Sequence, residues 1–423
     1  MREISKYWRC ISLRSVGVVV EYNPLHNGHV FHLTSSKKST NADVVIAVMS
    51  GQFLQRGEPA VVPKHVRTKL ALQAGADLVI ELPYSYSTQH ASIFAKGAIS
   101  ILDSLKCDYV CFGSEEGKIE TFYELIKQKK QHTSSINTSI RTFLDEGLSY
   151  PAAYSTALQK NLESSKLDVS LPNNILGIHY LEAIEHFDSR IEGRTIQRIA
   201  ANYHDEETNH HSIASATAIR KILKGDNQSI SDFVPSFTRD SIEEYINEYG
   251  ALHSWNEYLP FLKYKLMTST KEELEEIYEA VEGLERRVLH SVLNCLNFEE
   301  LMTSIKTKRY TWTRIQRLLT HILTNTSKKE MSAILEKDRV PYIRLLGMSS
   351  MGKTYLNSKK KLIELPIYTT INQQNQKELR TDLKATHTYA SMLSLDNQQK
   401  LIKTEYSLYP IIYDEKSNQF SRS

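Results

Sequence analysis

The sequence predicts an α/β fold, in which a doubly wound, Rossmann-like parallel sheet is followed by a mainly helical C-terminal region. Three observations predict it. Up to about residue 200, short runs rich in Val and Ile recur, as is typical of strands buried on both faces. Helical patterns separate these runs, which is the order expected for parallel strands with crossover helices. After about residue 230 the strand pattern fades and helical patterns dominate.

Five runs in the first half are predicted to be strands: Val16–Glu21, Asp43–Met49, Asp77–Leu82, Tyr109–Gly113 and Thr195–Ile199. Helical patterns are found between them at residues 28–38, 64–74, 88–105, 117–129 and 174–187. Residues 131–170 are rich in Ser, Thr, Gln and Lys and hold two more helical stretches, at 138–147 and 152–164. We therefore expect a domain over residues 15–230 that carries a helical insertion at 131–170.

The second half, residues 231–423, is predicted to contain helices at 238–248, 271–285, 286–296 and 309–324. In the last of these, apolar residues recur at helical spacing and predict one buried stripe. Arg314, Arg317 and His321 are then expected on the opposite face. Two short strand candidates, residues 341–346 and 365–370, interrupt the tail.

Composition limits the class of protein. The 423 residues are 41% hydrophobic and 24% charged, with a net charge of +3, as in an ordinary globular protein. No apolar run approaches the ~20 residues that span a bilayer, and residues 1–14 lack the apolar core of a signal peptide. We therefore expect a cytoplasmic protein with an N-terminal extension over residues 1–14 and no membrane contact. The four Cys form no CxxC pair, which predicts free thiols and no structural zinc.

The loop after the first predicted strand contains two histidines, His26 and His29, on either side of Gly28. Ligands of open parallel sheets bind beyond the carboxyl ends of the strands, and a helix N-terminus offers unpaired N–H groups to phosphate. Both rings are therefore predicted to donate hydrogen bonds to an α-phosphate while diphosphate is displaced. The alternative, two packed or solvated helix residues, is disfavoured by the glycine and the preceding strand.

Two short motifs in this chain resemble the signatures of one enzyme superfamily. "NPLHNGH" is similar to the HxGH signature of the nucleotidyltransferases, which include adenylyltransferases and class I aminoacyl-tRNA synthetases. "IASATAIRKIL" is similar to their second signature, with Ser215, Thr217 and Arg220 in the matching places. Ser and Thr suit a helix N-cap, and Arg can bind phosphate oxygens in a bidentate manner. His26, His29 and Arg220 are accordingly the predicted catalytic residues.

Longer motifs resemble one bacterial family, the tRNA(Met) cytidine acetate ligases: "VGVVVEYNPLHNGH", "MSGQFLQRGEPA", "GADLVIELP", "CFGSEEG" and "PNNILGIHYL". The resemblance implies that ATP, which normally carries Mg²⁺, and acetate form acetyl-adenylate and diphosphate. It further implies that the acetyl group passes to N4 of the wobble cytidine in the anticodon loop of elongator tRNA(Met), with release of AMP. It implies ATP contacts at Val19, Val20, Glu21, Tyr22, Asn23, Pro24, Leu25, His26, Asn27, Gly28, His29, Val30, Phe31, His32, Gly113, Asn173, Asn174 and Arg198, beside Ser215 and Thr217.

Acetate and tRNA each have candidate sites. Residues 50–59 follow the second strand at the same edge of the sheet, so Arg56 could bind the acetate carboxylate; an ordinary exposed loop residue is the open alternative. Residues 303–317 contain Lys and Arg but no Asp or Glu, which is typical of a phosphate-binding face or of a solvated helix face. The predicted tRNA contacts are Lys306, Lys308, Arg309, Arg314, Arg317 and Lys353.

Two further patterns are set aside. Residues 347–354, "GMSSMGKT", match a phosphate-loop pattern, but too few residues follow to build the sheet that such a loop requires. Residues 203–211, "YHDEETNHH", lack the spacing of metal ligands on a helix, so a polar loop and no metal site are expected. Two other functions remain open: a small-molecule adenylyltransferase, and a nucleotide-binding RNA adaptor without catalysis. No protein partner is predicted.

Overall fold

A computed structural model describes residues 13–162, 167–198, 213–225, 229–281, 283–407 and 409–422. Within these ranges nine strands form one sheet. The strands are β1 (Ser15–Val20), β2 (Val44–Ser50), β3 (Leu78–Leu82), β4 (Tyr109–Ser114), β5 (Glu192–Gln197), β6 (Ile343–Ser349), β7 (Ile367–Tyr368), β8 (Ile411–Asp414) and β9 (Gln419–Arg422). The predicted extension, residues 1–14, lies almost entirely outside the described residues.

Helices cover both faces of the sheet and one of its edges. In the first half they are α1 (Asn27–Thr40), α2 (Lys64–Gln73), α3 (Tyr84–Ser87), α4 (Ala91–Ser104), α5 (Ile119–Gln131), α6 (Thr133–Asp145), α7 (Tyr150–Asn161), α8 (Pro172–His186) and α9 (Ala216–Lys224). In the second half they are α10 (Ser236–Tyr249), α11 (Trp255–Thr268), α12 (Lys271–Glu275), α13 (Leu284–Val292), α14 (Phe298–Ile305), α15 (Trp312–Leu323), α16 (Lys328–Leu335), α17 (Ser350–Lys359), α18 (Arg380–Ala390) and α19 (Leu395–Ser407).

The first five strands confirm the predicted α/β fold. They are all parallel and lie in the order β5-β4-β1-β2-β3. The chain runs outward from β1 through β2 to β3 and then returns to place β4 on the other side of β1. The strand order therefore reverses between β1 and β4, which is where such sheets bind their ligands.

The sheet does not end with the first half of the chain. β6 pairs antiparallel with β3, so that Met348 lies opposite Leu78 and Arg344 opposite Glu81, and β7, β8 and β9 extend this side. The predicted boundary at residue 230 therefore does not separate the sheet from the helical region. The strand pattern fades because the chain forms helices outside the sheet there, and it returns to the sheet with β6 at residue 343.

The helical predictions for the second half were partly wrong. α11, α14 and α16 were not predicted, and the predicted helix over 271–285 is only the five-residue α12. Glu279 and Gly283 have positive φ angles of 64° and 80°, which interrupt helical geometry before α13 begins. The predicted insertion, by contrast, contains the two expected helices, α6 and α7.

The helical region packs against loops at the carboxyl edge of the parallel strands. One apolar core lies between the sheet and α4, α5 and α8, and a second lies on the face covered by α1 and α2. A third joins α10 to α15 to the loops after β2 and β3. Thr320 of α15 donates its hydroxyl to the Gly57 carbonyl (2.8 Å), and the Tyr84 hydroxyl lies 2.8 Å from Nδ1 of His321. α15 is thereby fixed at the carboxyl edge.

The segment that matches a phosphate-loop pattern is the end of β6 followed by the start of α17. Ser349 caps this helix through a hydrogen bond from the Gly352 N–H (3.1 Å). A side chain at Gly352 would collide with the backbone oxygen of Asp77, at the start of β3. At Gly352 the helix start therefore packs directly against protein backbone, where a phosphate loop would face its ligand.

Two smaller expectations can be compared with the structure. Cys107, Cys111 and Cys295 are buried free thiols, as predicted; Cys10 lies outside the described residues. In the part of the chain that the structure describes, no helix combines the length and the apolar character that a bilayer span requires.

Candidate active site at the carboxyl edge of the sheet

A cavity of about 730 Å³ opens beyond the carboxyl ends of β1, β4 and β5, at the point where the strand order reverses. α1, α8 and the start of α9 supply the rest of its wall. It is lined by Val19, Val20, Glu21, His26, Gly28, His29, Phe31, His32, Phe112, Gly113, Glu115, Asn173, Leu176, Tyr180, Ile196, Gln197, Arg198, Ile213, Ala214 and Ser215.

The backbone around the end of β1 is held by a buried arginine that the sequence did not single out. Arg67, on α2, donates through Nη1 to the carbonyls of Glu21 and Ser50 (2.9 Å each) and through Nε to that of Val62 (3.1 Å). Its Nη2 also donates to the Gly51 carbonyl. One side chain therefore joins the carboxyl ends of β1 and β2, which fixes the floor of the cavity.

The two motif histidines form the N-terminal cap of α1. The Gly28 N–H donates to Nδ1 of His26 (3.1 Å), and the His26 N–H donates to Nδ1 of His29 (3.2 Å), in a reciprocal capping box. The rings stack with their centroids 3.7 Å apart. Because each Nδ1 accepts a hydrogen bond, the proton of each neutral ring is on Nε2. Both rings are therefore neutral Nε2–H donors in the wall of the cavity.

The pKa values of these rings agree with the neutral form. Burial, helped by the nearby Arg198 charge, lowers the pKa of His26 to about 4. Burial and the neighbouring His26, His32 and Arg198 lower the pKa of His29 well below its ordinary range. The pKa of His32, one turn further along α1, is also lowered to about 4, first by burial and then by Arg198. These shifts favour the neutral form of all three imidazoles at neutral pH.

The expectation of unpaired N–H groups at the start of α1 was wrong. The Asn27 N–H donates to the Phe233 carbonyl (3.0 Å), the Gly28 N–H to the His26 ring, and the His29 N–H to the His26 carbonyl (2.8 Å). The capping box and the segment after α9 thus use these donors. A phosphate at this helix would meet ring Nε2–H groups and the positive end of the helix dipole instead.

Arg198 is the cationic residue among those that line the cavity. It follows β5, and its Cγ lies 3.2 Å from the position that a side chain at Gly113 would occupy. Gly113 therefore leaves the space that the Arg198 side chain fills. Since Arg198 lowers the pKa of all three histidines, its charge is close enough to act on an anion bound beside them.

The start of α8 is held by the carboxylate of Glu115, which lies in the motif CFGSEEG. Glu115 accepts the Asn173 side-chain N–H at Oε1 (2.6 Å) and the Asn174 backbone N–H at Oε2 (3.0 Å). The Glu115 N–H in turn donates to Oδ1 of Asn174 (3.1 Å). Asn173 lines the cavity, whereas the buried Asn174 supports this arrangement from behind. The positive end of α8 is thereby already neutralised.

The second signature motif contributes less to the wall than predicted. Ser215 lines the cavity and caps α9 by accepting the Ala218 N–H (3.2 Å). Arg220 instead donates to the Asn23 carbonyl (3.0 Å) and pairs with Glu58 (3.1 Å). Its Nη2 also meets the hydroxyl of the exposed Thr217 (3.2 Å). Arg220 therefore braces the loop after β1, and a contact with phosphate stays a prediction that requires it to leave Glu58.

Several predicted ATP contacts lie outside the residues that line the cavity: Tyr22, Asn23, Pro24, Leu25, Asn27, Val30, Asn174 and Thr217. Leu25 is fully buried in the core, and Asn23 accepts the Val61 N–H at Oδ1 (2.8 Å). Arg56 is exposed and does not line the cavity either. It lies in the loop whose Gln55 N–H donates to the Glu21 carboxylate (2.7 Å).

The predicted basic face is smaller than the sequence suggested. Arg317 is buried and pairs with Glu279 (2.7 Å), and His321 is buried against Tyr84, so neither belongs to a surface. The helix is covered on both sides, because the side opposite its apolar stripe packs against the loops after β2 and β3. The exposed basic residues are those between α14 and α15, namely Lys306, Lys308 and Arg309, with the partly buried Arg314 following.

These exposed residues and Lys353 lie at different edges of the sheet. The 306–311 segment leads into α15, which packs against Gly57 at the carboxyl edge. Lys353 is on α17, which begins where β6 meets the start of β3. It therefore lies at the amino edge, across the sheet from the cavity.

In the described part of the chain no group of three metal-binding side chains is found, and residues 203–211 lie outside it.

Comparison with known proteins shows relatives that match most of the chain. Residues 13–405 match the family model described as HIGH Nucleotidyl Transferase. A Halalkalibacterium halodurans protein named tRNA(Met) cytidine acetate ligase is 50% identical over 410 residues, which are 96% of this chain and 98% of that protein. A Geobacillus protein of the same name is 46% identical over 409 residues, 95% of this chain and 100% of that protein.

Solved structures from Thermotoga maritima share the fold. Crystal structures of its TmcAL, one apo and one bound with alpha-thio ATP, each match with a TM-score of 0.86 and 30% sequence identity. Both alignments cover 95% of this chain and 100% of the solved chain. The structural similarity therefore extends over the sheet, its antiparallel extension and the helical region together.

Proposed function

Because this chain belongs to the HIGH nucleotidyl transferase family and, within it, to the tRNA(Met) cytidine acetate ligases, we propose that it uses ATP to join acetate to a cytidine of tRNA(Met). An acetate oxygen attacks the α-phosphate of ATP and displaces diphosphate. The N4 amine of the wobble cytidine of the elongator tRNA then attacks the carbonyl of acetyl-adenylate and displaces AMP. An unpaired anticodon base suits this second step because its amine is accessible.

The observation that supports this proposal best is the pair of stacked, neutral histidines in the cavity wall. Negative charge grows on the α-phosphate oxygens as acetate attacks, and fixed donors lower the energy of that state. His26 and His29 present Nε2–H groups whose direction is set by the backbone hydrogen bonds at Nδ1. Arg198 adds a positive charge beside them, and the dipole of α1 acts in the same sense.

The two helix starts at the cavity suggest how ATP lies. Glu115 neutralises the start of α8, so a triphosphate gains little there and is repelled by the carboxylate. The triphosphate is therefore assigned to the α1 side and the nucleoside to the side of Asn173 and Gly113. ATP is expected to arrive with Mg²⁺ held mainly by its phosphates, as Mg²⁺ often binds through one or two carboxylates plus phosphate oxygens.

Acetate is assigned to the loop over residues 50–59. The Gln55 N–H binds the Glu21 carboxylate of the cavity wall, so Arg56, the next residue along the chain, lies beside the cavity although its exposed side chain does not line it. Its guanidinium is the group proposed to pair with the acetate carboxylate. Replacing Arg56 by Gln should raise the KM for acetate more than that for ATP; an unchanged acetate KM removes Arg56 from this role.

tRNA is assigned to the exposed basic segment that leads into α15, because this segment stands at the same edge as the cavity. Replacing Lys306, Lys308 and Arg309 by Gln should weaken tRNA binding and flatten its dependence on salt, since each lost phosphate contact reduces the slope. A control replaces two exposed lysines that directly follow α17, Lys360 and Lys361. Equal slopes in both variants contradict the assignment.

One assay separates this function from its rivals. Purified protein receives ATP, acetate and tRNA, with and without a Mg²⁺ chelator, and acetate-dependent diphosphate release and N4-acetylcytidine are measured. The proposal requires both products, and the chelator should suppress them. A small-molecule adenylyltransferase would modify other acceptors and leave tRNA unchanged, and an RNA adaptor would bind ATP without turnover.

A further inference from the structure

The second step of the proposed reaction needs a proton acceptor. When the cytidine amine attacks acetyl-adenylate, its nitrogen becomes acidic and must lose a proton before the amide is stable. Positioned side chains commonly accelerate such proton transfers by about 10²–10⁴-fold. We propose that Glu21, which the motif placed only among ATP contacts, is the general base that accepts this proton.

The histidines of the cavity are unsuited to this task. Nδ1 of His26 and Nδ1 of His29 accept backbone hydrogen bonds, so the exposed Nε2 of each ring carries a proton and has no lone pair to offer. Nε2 of His32 is buried in the protein and meets no partner among the described residues. Although the His32 ring lines the cavity, this buried nitrogen is therefore shielded from the substrate.

The two carboxylates that line the cavity differ in how many of their oxygens already accept hydrogen bonds. Both oxygens of Glu115 accept hydrogen bonds from the start of α8, one from Asn173 and one from Asn174. Glu21 uses only Oε1, which accepts the Gln55 N–H (2.7 Å); within the described residues no donor reaches Oε2. Glu21 is thus the carboxylate of this wall with a free basic oxygen.

The position of Glu21 also fits a base better than a phosphate ligand. Its backbone carbonyl is held by Arg67 (2.9 Å), and its side chain lies between the histidine pair and the 50–59 loop assigned to acetate. A carboxylate repels phosphate, so an attractive contact with ATP is not expected of it. Burial, opposed by the Gln55 hydrogen bond, raises the pKa of Glu21, which makes it a stronger base than an exposed carboxylate.

Charged and titratable groups from the neighbouring elements surround Glu21. They are Arg56 and Glu58 of the 50–59 loop, Arg67 of α2, His26 and His29 of α1, and Tyr180 of α8. The cations of this set lower its pKa and Glu58 raises it, while burial dominates. Transfer should therefore increase with pH through a carboxylate inflection above the ordinary range and then level off.

In the transfer step one C–N bond forms while one C–O bond breaks. The N4 lone pair forms the C–N bond to the acetyl carbon, and the bond from that carbon to the AMP oxygen breaks with its electron pair on AMP. The N4 proton passes to Oε2 of Glu21 and from there to solvent. No oxidant or further reactant is required.

The test separates the two half-reactions, because the inference depends on the proposed function. Synthetic acetyl-adenylate and tRNA are mixed with excess enzyme, and N4-acetylcytidine formation in a single turnover is followed across pH. Diphosphate release from ATP and acetate is measured separately over a range of Mg²⁺ concentrations. The variants are Glu21→Gln, which can still accept the Gln55 N–H, and the control Glu116→Gln, a carboxylate outside the cavity wall.

We expect Glu21→Gln to lower the transfer rate by about 100-fold or more and to remove its pH inflection, a loss much larger than any change in diphosphate release. Equal transfer by wild type and variant overturns the inference, as does a shifted Mg²⁺ requirement, which would make Glu21 a metal ligand. A pH-independent wild-type rate overturns it without any variant. If the wild type itself fails to acetylate tRNA from acetyl-adenylate, the proposed function fails instead.

Discussion

Replacing His29 tests the histidine pair most directly, because the ring has two separable contacts. Its Nε2–H is the proposed donor to the α-phosphate, and its Nδ1 accepts the His26 N–H (3.2 Å). Loss of one preorganised donor to a developing oxyanion lowers a rate by about 10²–10³-fold. Loss of the acceptor leaves a partly buried N–H unpaired, which costs about 1–3 kcal/mol of unfolding free energy. His29→Ala should show both effects.

His29→Gln separates the two effects. Gln is a natural capping-box residue at this helix position, so its amide can accept the His26 N–H while the fixed ring donor is lost. Acetate-dependent diphosphate release and urea unfolding are measured for both variants, with tRNA affinity as the control that neither should change. We expect Gln to recover stability but not the rate. Recovery of both by Gln would refute the donor role, as would full activity in His29→Ala.

Three further predictions concern stability. Lys64→Met should lower the unfolding free energy by about 3–5 kcal/mol, because it leaves Glu81 and Glu405 buried without their cation (2.7 and 2.9 Å in the wild type). The deficit should grow as pH rises through 7, because burial already raises the Glu81 pKa to about 7 and loss of Lys64 raises it further; a pH-independent deficit contradicts this. Arg317→Met should lower stability through the orphaned Glu279 yet leave the salt slope of tRNA binding unchanged, whereas a flatter slope restores Arg317 to the basic face. ATP at about 100 times its Kd should add about 2.7 kcal/mol of stability, seen as a higher Tm, and no shift would argue against binding.

The parallel half of the fold and its histidine motif could be predicted because their signals are local. Continuous Val and Ile runs identify strands buried on both faces, and the five predicted strands were found within a few residues of their positions. His26, Gly28 and His29 follow the first of them, so their place at the carboxyl edge follows from the sheet alone.

The remaining features depend on contacts between distant segments. The apolar spacing of α15 predicts one buried stripe, and Ile315 is indeed fully buried. The same spacing gives no sign that Gly57 and Tyr84 cover the other side, which buries Arg317 and His321. Such tertiary contacts decide which charges stay on the surface, and no pattern within one helix reports them.

The sequence also could not predict the free basic oxygen of Glu21 or the hydrogen bonds from Arg67 to the backbone. Both depend on which backbone groups face a side chain at the end of a strand. The sequence shows that Arg67 lies on a helix, but not that its donors reach carbonyls of two neighbouring strands. A side chain that acts by donating hydrogen bonds to backbone carbonyls has no characteristic spacing in the sequence.

The buried pairing of Lys64 with Glu405 has a consequence for the order in which the protein is made. The two residues are 341 positions apart, so the ribosome completes every residue of the cavity wall long before it adds this carboxylate. Until then α2 carries a cation that lacks one of its partners, and until β6 has been added β3 is an uncovered edge that can pair with another chain. A nascent or truncated chain that ends before residue 343 is therefore expected to need a chaperone.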